Sequence, residues 1–410
     1  MQTRTILAAT AAFVACLAVA GVALRMSRTP PAPEPVPQQA PEPPPPPAPV
    51  TPSPAATTAS YDFRRLDRAL EKMVKQNQLP GASMVIIRGE ERIYERSLGS
   101  FDMDTWVTTG SASKWASAAA ILTLVDEGTL SMDTPIGSKV PSWAEGRKGD
   151  ITLEMALAHR AGLHAKHDCL RAYDKPLLEC VDKIAMTPLL YDPGEGFGYG
   201  ALSFHAAAAL AEQATGKPFR EVFQEQLAAP LGMTQTRFGR GGQSPNPGVA
   251  GNLVTSTNDF SAFLQMVLNY GMYNGTRILA EERVRDMEGP HAGPGPYFHH
   301  IPERHAGSRH DIYGLGVWRD VVAPDGQLLV MSSPGKFGFT PWVDRRVNVA
   351  AVITAEWSHK QLNIGKPPDP ADVMYLVCDI VYRADHPDAP TPNPFCRRRG
   401  VAEAFGDKPE

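Results

Sequence analysis

The sequence predicts an α/β protein of the α+β kind, in which an antiparallel sheet assembled from both chain ends is flanked by helices and interrupted by a helical insertion. Two strand-like runs near the start of the folded part are joined by a short turn at Gly89-Glu90. Strand-like runs return only near the other end, and the long stretch between them is patterned as helix. The predicted strands are 82–88, 92–98, 312–318, 328–332 and 347–354.

The predicted helices follow from the spacing of apolar residues. The first, over 61–78, carries Leu66, Leu70, Met73 and Val74 at the three- and four-residue intervals that place side chains on one helix face. Later helices are rich in alanine, and several end at glycine or proline. The further predicted helices are 111–127, 151–159, 202–215, 219–228, 259–270, 281–287 and 370–382.

The composition is that of an ordinary enzyme. Of the 410 residues, 43% are hydrophobic and 20% are charged, and the formal net charge is -4. Such a charge gives no indication of nucleic-acid binding. The part of the chain after the first sixty residues is long enough to bury a large core, as one domain or as two interlocked domains.

The N-terminus predicts export. An uncharged apolar run, residues 6–24, follows Arg4 and is closed by Arg25, and its length is near the lower limit for a membrane-spanning helix. Ala18-Val19-Ala20 also fits a signal-peptidase site. The run is therefore a signal peptide or a transmembrane anchor, and we favour the anchor because the apolar run continues past the cleavage site. Residues 1–5 would then be a cytoplasmic stub, with the remainder tethered to the inner membrane in the periplasm or cell envelope.

A proline-dense tract, Thr29 to Pro54, predicts a disordered linker over residues 25–60. This composition forms neither helix nor sheet, and at about 3.1 Å per residue it would reach about 80 Å when extended. The folded domain is expected over residues 61–385 and a C-terminal tail over residues 386–410.

Four cysteines outside the apolar run predict two disulfides. An even count in an exported chain favours disulfide bonding, and three connectivities are possible. We prefer the pairing of neighbours, Cys169 with Cys180 and Cys378 with Cys396, because each pair closes a short loop. Neither pair has the spacing of a metal finger.

The most informative segment is Gly110-Ser111-Ala112-Ser113-Lys114, which opens an alanine-rich helical stretch ending at Gly128. Residues three apart share a helix face, so Ser111 would present its hydroxyl beside the Lys114 amine. The N–H groups of the first helical turn favour negative charge at the same place. A weak nucleophile beside a candidate base, at a site that stabilises an oxyanion, indicates covalent acyl transfer. Ser333-Pro-Gly-Lys336 has the same S-x-x-K spacing, but its proline and glycine argue against a helix.

Together with three further segments, this one resembles the penicillin-recognising serine hydrolases, in the branch of class C β-lactamases, DD-peptidases and family VIII carboxylesterases. The resemblance covers about residues 62–383, and its longest string is Leu124-Val-Asp-Glu-Gly-Thr-Leu-Ser-Met-Asp-Thr-Pro135 after the helix. It implies a β-lactamase/transpeptidase-like fold, with Ser111 as the nucleophile and Lys114 as the residue that helps to deprotonate it. Leu157-Ala-His159-Arg-Ala-Gly-Leu resembles a second family segment, in which the histidine position is structural.

The glycine-rich stretch Asp192-Pro-Gly-Glu-Gly-Phe-Gly-Tyr199-Gly-Ala201-Leu resembles the family loop that carries Tyr-x-Asn. The resemblance implies that Tyr199 is the third catalytic residue. A phenol needs a neighbouring cation to act as a base near neutrality, and Lys114 is the candidate. Ala201 replaces the family's Asn, which contacts the acyl-side amide of β-lactams and peptides, so the chain departs from the family pattern toward ester substrates.

Ser332-Ser333-Pro-Gly335-Lys336-Phe-Gly-Phe resembles the family strand that carries Lys-Thr-Gly or His-x-Gly. Aligned on Gly335, Ser333 occupies the position of the usual cation, which implies weaker binding of a substrate carboxylate. The resemblance also implies that the backbone N–H groups of Ser111 and Lys336 form the oxyanion hole.

Five histidines, His291, His299, His300, His305 and His310, lie in a Gly/Pro-rich stretch. Imidazole is a common metal ligand, but these spacings fit no recognised site, so a variable loop is the preferred interpretation. No metal or cofactor is expected.

These observations predict an exported serine hydrolase that forms an acyl-enzyme on a small-molecule ester or amide. A carboxylesterase is preferred over a DD-peptidase or β-lactamase, because both recognition residues of the latter are replaced. A catalytically inactive envelope protein that binds peptidoglycan or a peptide remains an alternative.

Overall fold

The computed structural model of the chain describes residues 60–239, 241–298, 311–358, 370–391 and 393–396. The chain divides into two units, residues 1–56 and 57–410, and every described residue belongs to the second. The predicted apolar run, most of the linker and most of the C-terminal tail lie outside the described ranges. Within these ranges no helix combines the length and apolarity needed to cross a membrane.

The architecture is a central antiparallel sheet with helices on both faces, as the sequence predicts. The helices are α1 (Arg64–Gln76), α2 (Ser113–Asp126), α3 (Leu153–Leu157), α4 (Leu177–Ala185), α5 (Leu202–Thr215), α6 (Phe219–Phe223), α7 (Thr257–Leu268), α8 (Glu281–Glu288) and α9 (Pro370–Asp385). The strands are β1 (Gly81–Arg88), β2 (Glu91–Gly99), β3 (Val107–Thr108), β4 (Arg237–Phe238), β5 (Leu253–Thr255), β6 (Met272–Tyr273), β7 (Thr276–Arg277), β8 (Trp318–Val322), β9 (Leu328–Ser332), β10 (Thr340–Asp344) and β11 (Val349–Ala355).

The main sheet has six strands in the order β2-β1-β11-β10-β9-β8. Strands from the two chain ends meet in its centre, where β1 pairs with β11 in a register that runs from Ala82–Ala355 to Arg88–Val349. Strands β3, β5 and β4 form a small second sheet, and β6 and β7 form a hairpin. The long stretch between β2 and β8 contains α2 to α8 and, in its described part, only short strands of two or three residues, which agrees with the predicted helical insertion.

The sheet separates two hydrophobic cores, because successive residues of a strand point to opposite faces. Val85 and Ile87 of β1 pack into the larger core, which also buries α2 and α5. Met84 and Ile86 pack into the smaller core with α1 and α9. Strand β1 is therefore buried on both faces, which explains its apolar run from Met84 to Ile87.

One predicted strand is absent from the structure. Residues 312–318 do not form the predicted strand: the chain turns back so that Tyr313 bridges Trp318, and β8 begins only at Trp318. Gly316 has φ +82° in this turn, and a Cβ there would lie 2.7 Å from the Lys114 carbonyl oxygen. The turn is thus shaped to pack against α2.

Strand β10 was not among the predicted strands. It contains Pro341, which lacks the N–H that a ladder needs and argues against a central strand. Pro341 nevertheless lies opposite Val352, and its carbonyl accepts a hydrogen bond from the Ser333 N–H (3.3 Å). The predicted helix over 151–159 is shortened to α3, and α4 was also missed.

The disulfides join the predicted neighbours. Cys169 bonds to Cys180, closing the segment that leads into α4, and Cys378 bonds to Cys396, fastening the chain after α9 to that helix. The first disulfide belongs to the larger core and the second to the smaller one. Each therefore supports a different face of the sheet.

Glu212 near the end of α5 predicts a pH-dependent stability. Its carboxylate accepts a hydrogen bond from the Phe219 N–H (2.8 Å), and burial raises the pKa of Glu212 to about 7. An unfolded glutamate titrates near pH 4.3, so the folded state holds the proton more tightly. Stability from this group is complete below about pH 4 and is lost as pH rises through 7.

We therefore expect Glu212→Gln to gain stability relative to the wild type as pH rises. The difference in free energy of unfolding between variant and wild type should be about 2 kcal/mol larger at pH 8 than at pH 5. Urea unfolding at both pH values measures this difference. The exposed Glu90→Gln is the control and should show the wild-type pH dependence. An unchanged pH dependence in Glu212→Gln would contradict the assignment.

Candidate active site

The turn that carries Ser111 is fixed by its neighbour Ser113. Gly110 to Ala112 form a 3-10 turn that leads into α2, and Gly110 has φ +56°, which favours glycine. The fully buried Ser113 hydroxyl donates to the Gly110 carbonyl oxygen (2.7 Å) and accepts from the Leu253 N–H (3.0 Å). These bonds tie the turn to β5 and leave the Ser111 side chain partly exposed.

Lys114 lies one turn further along and is almost completely buried, with 3% of its surface exposed. Its Nζ donates to the Ala250 carbonyl oxygen at 2.9 Å and lies 3.4 Å from the Ser111 Oγ. Within the described part of the chain no carboxylate pairs with this amine. The predicted adjacency of the alcohol and the amine is therefore present.

The ring of Tyr199 contacts the same amine. The Lys114 Nζ is 4.8 Å from the centroid of that ring, within the range of a cation–π contact. The amine is thus close both to the alcohol of Ser111, three residues away in the sequence, and to the phenol ring of the distant Tyr199.

His159 packs against the loop that carries Tyr199. Its carbonyl oxygen accepts from the Gly198 N–H (2.8 Å), and its ring centroid lies 4.6 Å from that of Tyr199. The imidazole Nδ1 also hydrogen-bonds the Ser203 Oγ at 3.1 Å. This placement matches a structural role better than a role as general base.

Two aromatic residues that the sequence reasoning missed complete the surroundings of Tyr199. The ring centroids of Trp318 and Tyr313 lie 5.0 and 5.9 Å from that of Tyr199. Tyr313 is fully buried, and burial raises its pKa well above the ordinary value. Both lie within residues 312–318, the predicted strand, so their apolar context indicated only a core position.

The fourth family-like segment, residues 332–339, leaves β9 at Ser332 and forms the turn between β9 and β10, so it is not a continuing strand. Strand β9 ends at Ser332, and the Gly335 N–H closes the turn by donating to the Phe339 carbonyl oxygen (2.7 Å). The Ser333 hydroxyl is 3% exposed and donates to the Gly316 carbonyl oxygen (3.2 Å). The Ser333 hydroxyl is therefore already used in a hydrogen bond within the protein, and residue 333 supplies no cation.

Glycines allow this turn to lie directly on the nucleophile turn. A Cβ on Gly335 would be 1.9 Å from the Thr109 carbonyl oxygen, and a Cβ on Gly110 would be 3.0 Å from the Lys336 backbone nitrogen. None of the described residues accepts a hydrogen bond from the Lys336 N–H. The backbones of Gly110, which precedes Ser111, and Lys336 are thus close neighbours.

The sequence analysis also singled out Ala201 and the side chain of Lys336. Ala201 precedes α5, and its N–H donates to the Ala165 carbonyl oxygen (2.9 Å). Its methyl group offers no hydrogen bond to a substrate. The Lys336 side chain is exposed to solvent.

His291 is held by hydrogen bonds within the protein. Its Nδ1 lies 2.8 Å from a Glu154 carboxylate oxygen, and its Nε2 lies 2.7 Å from the Asp286 carbonyl oxygen. The hydrogen bond from His291 lowers the pKa of Glu154. The other four histidines of the predicted cluster lie outside the described ranges, and the residues inside them contain no metal-binding group of three or more His, Cys, Asp or Glu side chains.

Known proteins share this arrangement of elements. The sequence model of the family described as Beta-lactamase matches residues 66–368. A solved structure from Bacteroides dorei, titled as a candidate beta-lactamase, is 32% identical, with a TM-score of 0.73, and the match covers 79% of this chain and 100% of that one.

Among curated proteins, esterase EstB from Burkholderia gladioli is 28% identical over 200 residues, which are 42% of this chain. The match spans about half of the length of EstB, 51%. The structure of EstCE1, titled a hydrolase with promiscuous acyltransferase activity, is 17% identical with a TM-score of 0.58 and covers 73% of this chain and 94% of that one. At this identity the likeness to EstCE1 shows the fold alone.

Proposed function

Because the chain belongs to the beta-lactamase family, we propose that it is a serine hydrolase that forms an acyl-enzyme on Ser111. The observation that carries the proposal is the position of the Lys114 amine, 3.4 Å from the Ser111 Oγ and 4.8 Å from the Tyr199 ring centroid. A nucleophile within reach of a base, with that base oriented by other groups, is the arrangement that activates a hydroxyl.

The proposed reaction begins when the Ser111 Oγ attacks a carbonyl carbon. Its proton passes to the Lys114–Tyr199 pair, and the N–H groups of Ser111 and Lys336 hold the tetrahedral oxyanion. The same pair returns the proton to the leaving group as the acyl-enzyme forms. Water, or an acceptor alcohol, then attacks the acyl carbon and releases Ser111.

A carboxylesterase is the preferred activity. Ala201 cannot bind an acyl-side amide, and the buried Ser333 hydroxyl cannot replace a cation that binds a substrate carboxylate. Ester substrates need neither contact. The name of EstB as an esterase supports the same order, and a DD-peptidase or β-lactamase is the second candidate.

The order of substrates is tested by comparing kcat/KM for a short-chain nitrophenyl ester with kcat/KM for nitrocefin. We expect the ester value to be larger by at least about 100-fold, because each missing polar contact to a substrate group costs one or more factors of ten. Ala201→Asn should raise nitrocefin turnover with little effect on the ester. Dominant nitrocefin turnover by the wild type would reverse the order.

The alternative of a catalytically inactive binding protein is tested with a fluorophosphonate probe. A serine hydrolase should be labelled covalently, and peptide mapping should find the label on Ser111. Absence of labelling in folded protein would favour the binding protein.

Export from the cytoplasm agrees with the two disulfides, since such bonds persist in oxidising compartments. We further propose that residues 6–24 anchor the enzyme to the inner membrane and that residues 25–60 are the spacer. Fractionation of cells that express the full chain tests this location: the protein should remain with the membranes after a high-salt wash.

A further inference from the structure

We propose that Asn246 is a positioning residue for Lys114, acting through the segment that holds the Lys114 amine. The inference rests on the proposed function, because it assigns a catalytic task to that amine. It concerns a part of the chain, residues 244–251, that contains none of the predicted site residues.

The C-terminal part of the 244–251 segment is hydrogen-bonded to α2, the helix that follows Ser111. The Ala250 carbonyl oxygen accepts from the Lys114 Nζ (2.9 Å), and the Val249 carbonyl oxygen accepts from the Ser117 Oγ (2.9 Å). Lys114 and Ser117 lie on one face of α2, so two consecutive carbonyls of the segment hold successive side chains of the helix. The position of Ala250 therefore decides where the amine lies relative to Ser111.

The other end of the segment is fastened to the disulfide-closed loop, residues 169–180. Asn246 is fully buried, and its Nδ2 donates to the Cys169 carbonyl oxygen (3.0 Å) and, at 3.4 Å, to that of Ala172. The Ser244 hydroxyl donates to the Tyr173 carbonyl oxygen (2.7 Å), and the Leu177 N–H donates to that of Pro245 (3.0 Å). Backbone groups of the loop thus fix residues 244–246.

Asn246 is the one buried side chain of the described segment that bridges these two parts. Removing it deletes both side-chain hydrogen bonds between the loop and the segment, and the Cys169 and Ala172 carbonyl oxygens keep only the backbone donors inside the loop, the N–H groups of Ala172 (3.0 Å) and Lys175 (3.1 Å). The hydrogen bonds at Ser244 and Pro245 still hold the start of the segment, but the part that follows residue 246 loses its buried side-chain tie to the loop, and the Ala250 carbonyl can shift. A misplacement of about 1 Å at a reacting group can cost about 100-fold in rate.

The chain supplies a matched control in the smaller core. Asn393 is also buried, with 1% of its surface exposed, and its Nδ2 lies 3.5 Å from the Sγ of Cys396 in the other disulfide. Asn393→Ala therefore removes a buried asparagine beside a disulfide without touching α2 or residues 244–251. The pairs Cys169→Ser/Cys180→Ser and Cys378→Ser/Cys396→Ser extend the comparison to the disulfides themselves.

The experiment measures kcat and KM for the nitrophenyl ester, together with the free energy of unfolding, in Asn246→Ala and Asn393→Ala of the full chain. We expect Asn246→Ala to lower kcat by about 10- to 100-fold with KM within twofold, because Lys114 transfers a proton and does not bind substrate. Asn393→Ala should lose stability but keep kcat within twofold. Equal kcat losses in the two variants would overturn the inference and indicate a general effect of destabilisation.

A second readout does not depend on activity. Reductive methylation of the folded protein, followed by peptide mapping, measures the access of reagent to the Lys114 amine, which is 3% exposed in the wild type. The methylation rate of Lys114 should rise at least fivefold in Asn246→Ala and remain unchanged in Asn393→Ala. An unchanged rate in both, with kcat intact, would reject the positioning role while leaving the proposed function in place. If the proposed function were wrong, the wild-type chain would hydrolyse no ester. The methylation rates of Lys114 in the two variants would still decide whether Asn246 positions the amine.

Discussion

Ser111→Ala is expected to lower kcat/KM for the nitrophenyl ester by about 10⁵-fold, the scale on which loss of a catalytic serine acts in serine hydrolases. The Ser111 Oγ is the atom that becomes acylated, and the neighbouring Ser113 hydroxyl cannot take its place, because it is fully buried and already donates to the Gly110 carbonyl oxygen. The variant should also lose fluorophosphonate labelling.

The fold should be unaffected by this change. The Ser111 hydroxyl makes one long contact of 3.4 Å with the Lys114 Nζ, so its removal changes the free energy of unfolding little. Ser261→Ala is the control, because Ser261 is a buried serine on α7 whose hydroxyl donates to the Asn258 carbonyl oxygen (2.6 Å). It should keep wild-type kcat. Ester hydrolysis that survives Ser111→Ala would remove the basis of the proposed function.

Lys114→Met is expected to lower kcat by at least about 10³-fold while leaving the protein as stable as the wild type or more stable by up to about 2 kcal/mol. The amine has been taken out of water, and its described partners are a carbonyl, a hydroxyl and an aromatic ring rather than a carboxylate. An unbranched apolar side chain fills the same space without that desolvation cost. A gain in stability with a loss of activity is typical of a functional site.

Lys148→Met provides the opposite case. Lys148 is also partly buried, and its Nζ donates to the carbonyl oxygens of Ile184 (3.1 Å) and Ala185 (2.6 Å) at the end of α4. This lysine satisfies carbonyls at a helix terminus, so its removal should lower the free energy of unfolding and leave kcat unchanged. Urea unfolding and ester kinetics on the two variants should give opposite patterns. If Lys114→Met were strongly destabilised, its amine would be a structural group.

Elements whose formation depends on neighbouring residues were predicted well from the sequence. Helix α5 has the predicted bounds because an alanine-rich run ends at Gly216, which adopts φ +69° as a helix C-cap. Strand β1 begins within one residue of its predicted start, and the spacing of Ser111 and Lys114 was sufficient to place the amine beside the hydroxyl. These features depend on residues close together in the chain.

Features that depend on distant contacts were not predictable in the same way. The turn at Gly316 packs against α2, and β10 includes Pro341, which has no N–H but whose carbonyl accepts a hydrogen bond from the Ser333 N–H. The acceptor for the Lys114 amine is the backbone carbonyl of Ala250, and a carbonyl group has no signature in a sequence. Tertiary context therefore decides the part of the site that residue types cannot reveal.

The pairing of β1 with β11 has a consequence for how the chain reaches its native state. During synthesis, β1 and β2 are complete long before β11 exists. In the hairpin that they form, the edge of β1 that later pairs with β11 keeps unpaired backbone N–H and C=O groups, and β1 exposes apolar side chains on both of its faces. Contacts between such remote segments slow folding and leave time for association with other nascent chains. A chain that stops before residue 349 would lack the strand that closes the middle of the sheet, and we expect it to be degraded or to precipitate rather than to persist as a smaller enzyme.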